Sequence, residues 1–164
     1  MLLTKKIKYI ALILLLVLFE QMTAKYFSVG GAVPMFAFCF LLTAAMNETE
    51  FSFTAVFSAF CGFLCDIMSG AGIGTYILTF TLSALAVLEL HNKLFSSRVL
   101  FIICAAFILT FFVHIMYFIF HISDIGAENF MYGVLNVMLK SAVYNVIISL
   151  LFMPAVRKLL GKGR

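Results

Sequence analysis

Long apolar runs are the feature that most constrains how this chain can fold. An α-helix needs about 20 mostly apolar residues to cross the hydrocarbon core of a bilayer. Five runs approach or exceed that length, and they cover Ile7–Phe27, Phe51–Met68, Gly72–Leu90, Val99–Ile122 and Phe130–Val156. A sixth run, Gly31–Met46, is shorter and carries Pro34 near its start, but it is too apolar for a loop in water. The sequence therefore predicts an all-α integral membrane protein with six transmembrane helices.

Composition supports a lipid environment. The chain is 65% hydrophobic and 11% charged, whereas soluble domains average about 45–50% apolar and about 25% charged residues. A core of this size cannot hide the surplus, because a small domain leaves much of its surface exposed. The composition therefore argues against water-soluble enzyme classes.

The first run resembles a secretory signal only at its start. Lys5, Lys6 and Lys8 precede its apolar stretch from Tyr9 to Phe19, but no small-x-small cleavage site follows, and Glu20 and Gln21 stand where such a site is expected. We therefore interpret this run as an uncleaved first helix.

The basic residues predict the orientation. Nine of the eleven Lys and Arg residues fall on one side of a six-helix arrangement: Lys5, Lys6, Lys8, Lys93, Arg98, Arg157, Lys158, Lys162 and Arg164. Such an excess marks the cytoplasmic side, so both termini are expected there. The net charge of +4 then reports orientation and does not indicate nucleic-acid binding. No linker interrupts the runs, and residues 1–164 are expected to form one polytopic membrane domain.

A glycine-rich stretch follows the third run and reads GFLCDIMSGAGIGTY, from Gly62 to Tyr76. It lacks the preceding strand of a dinucleotide fingerprint and the Gly-Lys-Ser/Thr ending of a P-loop. Glycine instead permits a tight reversal between two helices and a close approach of their backbones. The stretch therefore predicts a helix–turn–helix without nucleotide-binding function.

A stripe of small residues leads into this turn. Ala55, Ala59, Gly62 and Asp66 are spaced so that they share one helix face, and small residues let helices pack closely in a bilayer. Asp66 ends the stripe, where its carboxylate either caps the turn or contacts a partner. The sequence leaves both interpretations open.

The same residues carry a family resemblance. The pattern Gly-Phe-Leu-x-Asp-Ile-x-Ser-Gly-x-x-x-Gly, which contains Gly62, Asp66, Gly70 and Gly74, resembles the signature of the rod shape-determining protein MreD family. Pro34 near the start of the second helix and the closing sequence YNVIISLLFMPAVRKLL, which begins with Tyr144 and Asn145, also resemble that family. Length, helix count and orientation agree with it.

The resemblance implies a non-enzymatic scaffold subunit in the bacterial inner membrane. Members of the family are expected to work with MreC, the actin-like MreB, the polymerase RodA and a transpeptidase to direct lateral peptidoglycan synthesis. The resemblance also implies a fold like that of the six-helix substrate-binding subunits of energy-coupling-factor vitamin transporters. No cofactor or nucleic-acid partner is expected, and self-association is left open.

Ionisable residues inside the bilayer usually pair or face a cavity. Glu20 and Lys140 are expected at similar depths, so we predict an ion pair between them, with Asp66 as the competing partner of Lys140. Asn136, Lys140 and Tyr144 share a helix face, which predicts a polar seam pointing into the bundle. A substrate cavity would give the same pattern.

Other functions are less well supported by the sequence. His114 and His121 lie seven residues apart on one face, which fits helix packing or, with a third ligand, a metal site. No catalytic motif of the His-Glu-x-x-His or Gly-x-Ser-x-Gly type is present. The main alternative is a vitamin-transporter subunit that uses Glu20, Lys140 and Tyr144 as a pocket, although the Ala-x-x-x-Ala stripe of such subunits is absent from the first helix. A lipid-handling transporter is a third alternative.

Overall fold

The computed structural model describes residues 2–28, 30–70, 73–94, 97–121 and 133–160. The described α-helices are α1 (Leu2–Phe27), α2 (Phe36–Ala45), α3 (Phe51–Ser69), α4 (Thr75–Leu94), α5 (Arg98–Phe120) and α6 (Leu139–Leu160). A π-helical stretch, Gly133–Met138, leads directly into α6. The described residues contain no strand, as predicted. The predicted start of the last helix, Phe130, lies outside them.

Among the residues that the structure describes, four helices contain segments that are long and apolar enough to cross a membrane: Ile7–Ala24, Phe51–Ser69, Arg98–Phe120 and Asn136–Lys158. Two shorter apolar helices, Phe36–Ala45 and Thr75–His91, complete the six. The prediction of an all-helical membrane protein with six helices is thus supported. The last turns of α4 carry Glu89, His91 and Lys93.

The second helix begins at Phe36, five residues later than the apolar pattern predicts. Gly30 and Gly31 adopt φ angles of 61° and 83°, a left-handed region that interrupts a right-handed helix. Pro34 then lacks the amide hydrogen that a helix interior requires. The resulting helix of ten residues is about 15 Å long, roughly half the thickness of the hydrocarbon core.

This short helix lies at the centre of the bundle. It contacts α1, α3, α4, α5 and α6, and every residue from Ala37 to Ala45 is buried. The contacts of α1 with α3, α3 with α4, α4 with α5, and α5 with α6 form an arc around it. Aromatic rings fill the space on two sides. The ring centroids of Phe38 and Phe80 of α4 are 4.9 Å apart, and those of Phe40 and Tyr9 of α1 are 5.9 Å apart. The core is therefore organised around a helix that has no lipid-facing side.

The outer helices expose large apolar side chains. Leu15 on α1, Val56 on α3, Ile108 on α5 and Leu151 on α6 are each more than 60% exposed. A soluble monomer rarely exposes contiguous apolar surface on this scale. The exposed faces are therefore suited to acyl chains, which agrees with the composition.

Helices α3 and α4 form a close hairpin whose turn uses the glycines of the sequence motif. Gly70 ends α3 with φ 67°, the left-handed cap at which glycine is strongly preferred. Gly74 has φ 120° just before α4. Gly62 serves a different purpose, because a Cβ at that position would lie 2.6 Å from the Cα of Ile77 on α4. The two backbones touch at Gly62, and a side chain there has no room.

We expect Gly62→Ala to destabilise the protein by about 1–3 kcal/mol, because the added methyl group meets backbone atoms that cannot move without separating the helices. Val56→Leu is the matched control, since it adds one carbon to the exposed face of the same helix. Thermal unfolding in detergent can be followed with a thiol-reactive dye, because Cys61 and Cys65 are buried in the folded state. Equal midpoints for the two variants would contradict a close contact at Gly62.

Candidate functional site

Six helix ends meet at one end of the bundle, which we call the distal end. It is formed by the ends of α1, α3 and α5 and the starts of α2, α4 and α6. Three residues predicted from the sequence, Glu20, Asp66 and Asn145, bond to backbone amides at the starts of helices there. We take these three side chains and their partners as the candidate functional site.

Asp66 closes the α3–α4 hairpin. Its carboxylate is 1% exposed and accepts hydrogen bonds from the backbone amides of Gly74 and Tyr76, each at 2.8 Å, and of Ile77 at 3.3 Å. The start of a helix has unpaired amides and a partial positive charge that both favour a carboxylate. The sequence left open whether Asp66 caps the turn or contacts a partner, and these hydrogen bonds have the geometry of a cap.

Glu20 plays the corresponding role for α2. One carboxylate oxygen accepts a hydrogen bond from the backbone amide of Ala37 at 3.0 Å, and the carboxylate also faces the amide of Phe36. Helix α2 has no capping side chain of its own, because Met35 occupies the N-cap position without a side-chain hydrogen bond. The acid on α1 therefore supplies the cap from a separate helix.

Asn145 holds the chain just before α2. Its Oδ1 accepts a hydrogen bond from the backbone amide of Met35 at 2.9 Å, and its Nδ2 donates to Oγ1 of Thr110 on α5 at 3.0 Å. The thiol of Cys39 donates to the Asn145 carbonyl at 3.4 Å. This fully buried amide thus links α6, α5 and the entry to α2.

The predicted ion pairs of Lys140 do not form with either acid. Glu20 and Asp66 direct their carboxylates at helix amides, and the described residues show no ion pair between either of them and Lys140. The Lys140 side chain is exposed and places its Nζ against Gly30, where an added Cβ would lie 2.6 Å away. The prediction was wrong because it matched charges by depth and did not consider unpaired backbone amides as partners.

The predicted polar seam on the last helix is displaced by one residue. Asn136 and Tyr144 are half-buried and Lys140 is exposed, whereas Ser141, Asn145 and Ser149 are fully buried. Successive helix residues are about 100° apart, so a shift of one position turns the seam to a different face. The i, i+4, i+8 spacing of Ser141, Asn145 and Ser149 was the signal that sequence reasoning overlooked.

The two histidines bond to their own helix. Nδ1 of His114 donates to the carbonyl of Thr110 at 2.9 Å, and Nδ1 of His121 donates to that of Tyr117 at 2.8 Å. The His121 ring also stacks on Tyr117 with centroids 4.3 Å apart. Among the residues that the structure describes, no group of three His, Cys, Asp or Glu side chains could hold a metal ion.

We expect Asn145→Leu to lower the free energy of unfolding by about 1–3 kcal/mol, because it leaves the amide of the half-buried Met35 without this acceptor. Asn145→Asp keeps an oxygen for Met35 but loses the donor to Thr110, so it separates the two bonds. Tyr144→Phe, on the neighbouring half-buried position, is the control. A loss no larger for Asn145→Leu than for Tyr144→Phe would argue against a clamp on the entry to α2.

A double-mutant cycle should give nearly additive effects for Glu20→Gln and Lys140→Met, since the two side chains have different partners. Glu20→Leu should cost more than Glu20→Gln, because the amide of glutamine still offers an acceptor to Ala37. Unfolding midpoints of the four proteins in one detergent provide the measurement. A coupling energy larger than about 0.5 kcal/mol would indicate that Glu20 and Lys140 do form an ion pair.

Comparison with known proteins gives one match. The family model of the rod shape-determining protein MreD matches residues 4–162, which include nearly all of α1, the other five α-helices and the whole candidate site. No curated protein and no solved structure matches at the same standard of significance. Because the matching region covers nearly the entire chain, this protein belongs to the rod shape-determining protein MreD family.

Proposed function

We propose that this protein is a non-enzymatic scaffold subunit of the machinery that elongates rod-shaped bacteria. Membership in the family implies a role in rod shape determination, and the apolar outer faces suit a membrane-embedded subunit. The match over residues 4–162 is the observation that carries this proposal. In it, the protein binds MreC and acts with MreB, RodA and a transpeptidase to direct lateral peptidoglycan synthesis.

The buried polar groups support a structural role. The side chains of Asp66 and Asn145 form hydrogen bonds with backbone amides and with Thr110. The backbone of α4 fills the space beside Gly62. These residues are therefore proposed to act on a partner indirectly, by fixing the shape of the surface that the partner contacts. Of the motif residues, Gly70 is exposed at the tip of the hairpin, where direct contact is available.

The proposal places the chain in the cytoplasmic membrane as a multi-pass protein with both termini inside. The lysines and arginines near the chain ends and between α4 and α5 support this orientation. The distal end with its capping acids would then face outward. The energy-coupling-factor fold that the resemblance implies remains part of the same proposal.

Depletion of this protein in its native bacterium should convert rods to rounded cells, and expression of the wild-type gene should restore the rods. Gly62→Leu should fail to restore them and should lose MreC on co-purification, whereas Val56→Leu should restore the rods and keep MreC on co-purification. Immunoblots of membrane fractions separate lost abundance from lost function. Cells that keep their rod shape on depletion but lose uptake of a vitamin would support the transporter alternative instead.

Topology can be tested by cysteine labelling on a Cys-free background. A cysteine at Arg164 should react with a membrane-impermeant maleimide only after the cells are opened, whereas one at Asp124 should react in intact cells. The reason is the basic asymmetry between the two sides. Labelling of the Arg164 position in intact cells would overturn the proposed orientation.

A further inference from the structure

A cavity lies at the distal end beside the capping acids, and the scaffold role leaves it unexplained. It has two adjoining chambers of about 450 and 210 Å³, each within or close to the range of about 300–1,000 Å³ that is usual for small-molecule sites. Six residues line both chambers, which makes them one site: Gly31, Val33, Met35, Tyr76, His114 and Val137. The walls come from α1, the segment before α2, α4, α5, the π-helical stretch and the first turn of α6.

The two chambers differ in chemistry. The smaller one is lined by Glu20, Gln21, His114 and Ser141 as well as apolar residues. The larger one adds Val113, Phe118 and Met138, which are apolar, and the amphipathic ring of Tyr117. A ligand that fills both would therefore have one polar end and an apolar body.

Ser141 places a buried hydroxyl group without a hydrogen-bond partner at the wall of the smaller chamber. Its side chain is 0% exposed, and its Oγ has no hydrogen-bond partner among the residues that the structure describes. A buried polar group normally finds a partner, because leaving it unpaired costs about 1–3 kcal/mol. Since Ser141 lines the smaller chamber, the missing partner can be supplied by a bound molecule.

The other polar side chains of this chamber are Glu20, Gln21, Tyr76 and His114, and each of them can accept a hydrogen bond. Nδ1 of His114 donates to the Thr110 carbonyl, so in the neutral ring Nε2 is left as an acceptor. The Glu20 carboxylate has lone pairs beyond those used by the α2 amides. Lys140, which directly precedes Ser141 in the sequence, does not line either chamber and places its Nζ at Gly30. The site therefore offers the Glu20 carboxyl group and several further acceptors to a ligand that donates hydrogen bonds.

We propose that the distal cavity binds an amphiphilic amine, with its ammonium group between Glu20, His114 and Ser141 and its apolar body in the larger chamber. The ammonium group has three donors and no acceptor, which matches this set of side chains. Such a group comes either from a small soluble amine or from the head of an aminolipid. The proposal goes beyond the scaffold role and does not depend on it.

Binding can be measured on the purified full-length protein in nanodiscs that contain only phosphatidylglycerol. Added 2-phenylethylamine should raise the unfolding midpoint in a saturable manner, as a ligand of the native state does. The isosteric probes phenylacetate and 2-phenylethanol should have little effect. Equal shifts with all three probes would mean nonspecific partitioning and would overturn the proposal.

Three variants locate the site. Glu20→Gln should weaken amine binding about tenfold or more, because it removes a charge-assisted hydrogen bond, and Ser141→Ala should weaken it less. Val137→Phe should block binding by filling space shared by both chambers. Glu89→Gln, which removes an exposed acid paired with Lys93 outside the cavity, is the matched control and should bind like the wild type. If Glu20→Gln does not fold, Val137→Phe and Ser141→Ala decide the result, and wild-type affinity in both would overturn the proposal.

A second arm distinguishes the two sources of the amine. Nanodiscs that also contain phosphatidylethanolamine should raise the midpoint and reduce the shift caused by 2-phenylethylamine if an aminolipid occupies the site. An unchanged shift would assign the site to soluble amines. Either outcome supports the proposal only if Val137→Phe abolishes the midpoint shift that the amine or the aminolipid causes in the wild type. A shift that persists in Val137→Phe would contradict the proposal.

Discussion

The bonds that satisfy the start of α2 are the interactions on which the rest of the structure depends. A ten-residue helix enclosed by other helices has amides at its start that find no partner within the helix, and each amide left unpaired away from water costs several kcal/mol. Glu20 from α1 and Asn145 from α6 supply the acceptors. Because these acceptors lie on different helices, the position of α2 and the packing of its neighbours are determined together.

Asp66 repeats the same solution at α4. Two acids that first suggest a transport pathway or a partner contact are instead both helix caps, one within its own hairpin and one supplied from a separate helix. A carboxylate is well suited to this use inside a bilayer, since the helix start offers both unpaired donors and a favourable dipole. The capping also satisfies amides next to the non-helical backbone before α2, in which Ala32 and Pro34 are buried by protein.

The scaffold role and the cavity use different parts of the same distal end. Gly62, Gly70 and Asp66 fix the α3–α4 hairpin, which belongs to the shape of the subunit. Glu20, His114 and Ser141 line a space that the helix packing leaves open. A ligand in that space would contact α1, α5 and α6 at once, and its occupancy would therefore couple to the arrangement of the outer helices that partners meet.

The sequence by itself determined the helical class, the membrane environment, the close α3–α4 hairpin and the family, because each depends on local pattern: apolar run length, glycine placement and a short motif. Only the tertiary structure decided that α2 is short and central, that Glu20 bonds to Ala37 rather than to Lys140, and that Ser141, Asn145 and Ser149 form the buried polar face. The physical reason is that these features depend on which amides are left unpaired and on how each helix is rotated about its axis. An apolar sequence that is hydrophobic on all sides carries little record of that rotation, because lipid and protein core accept the same side chains.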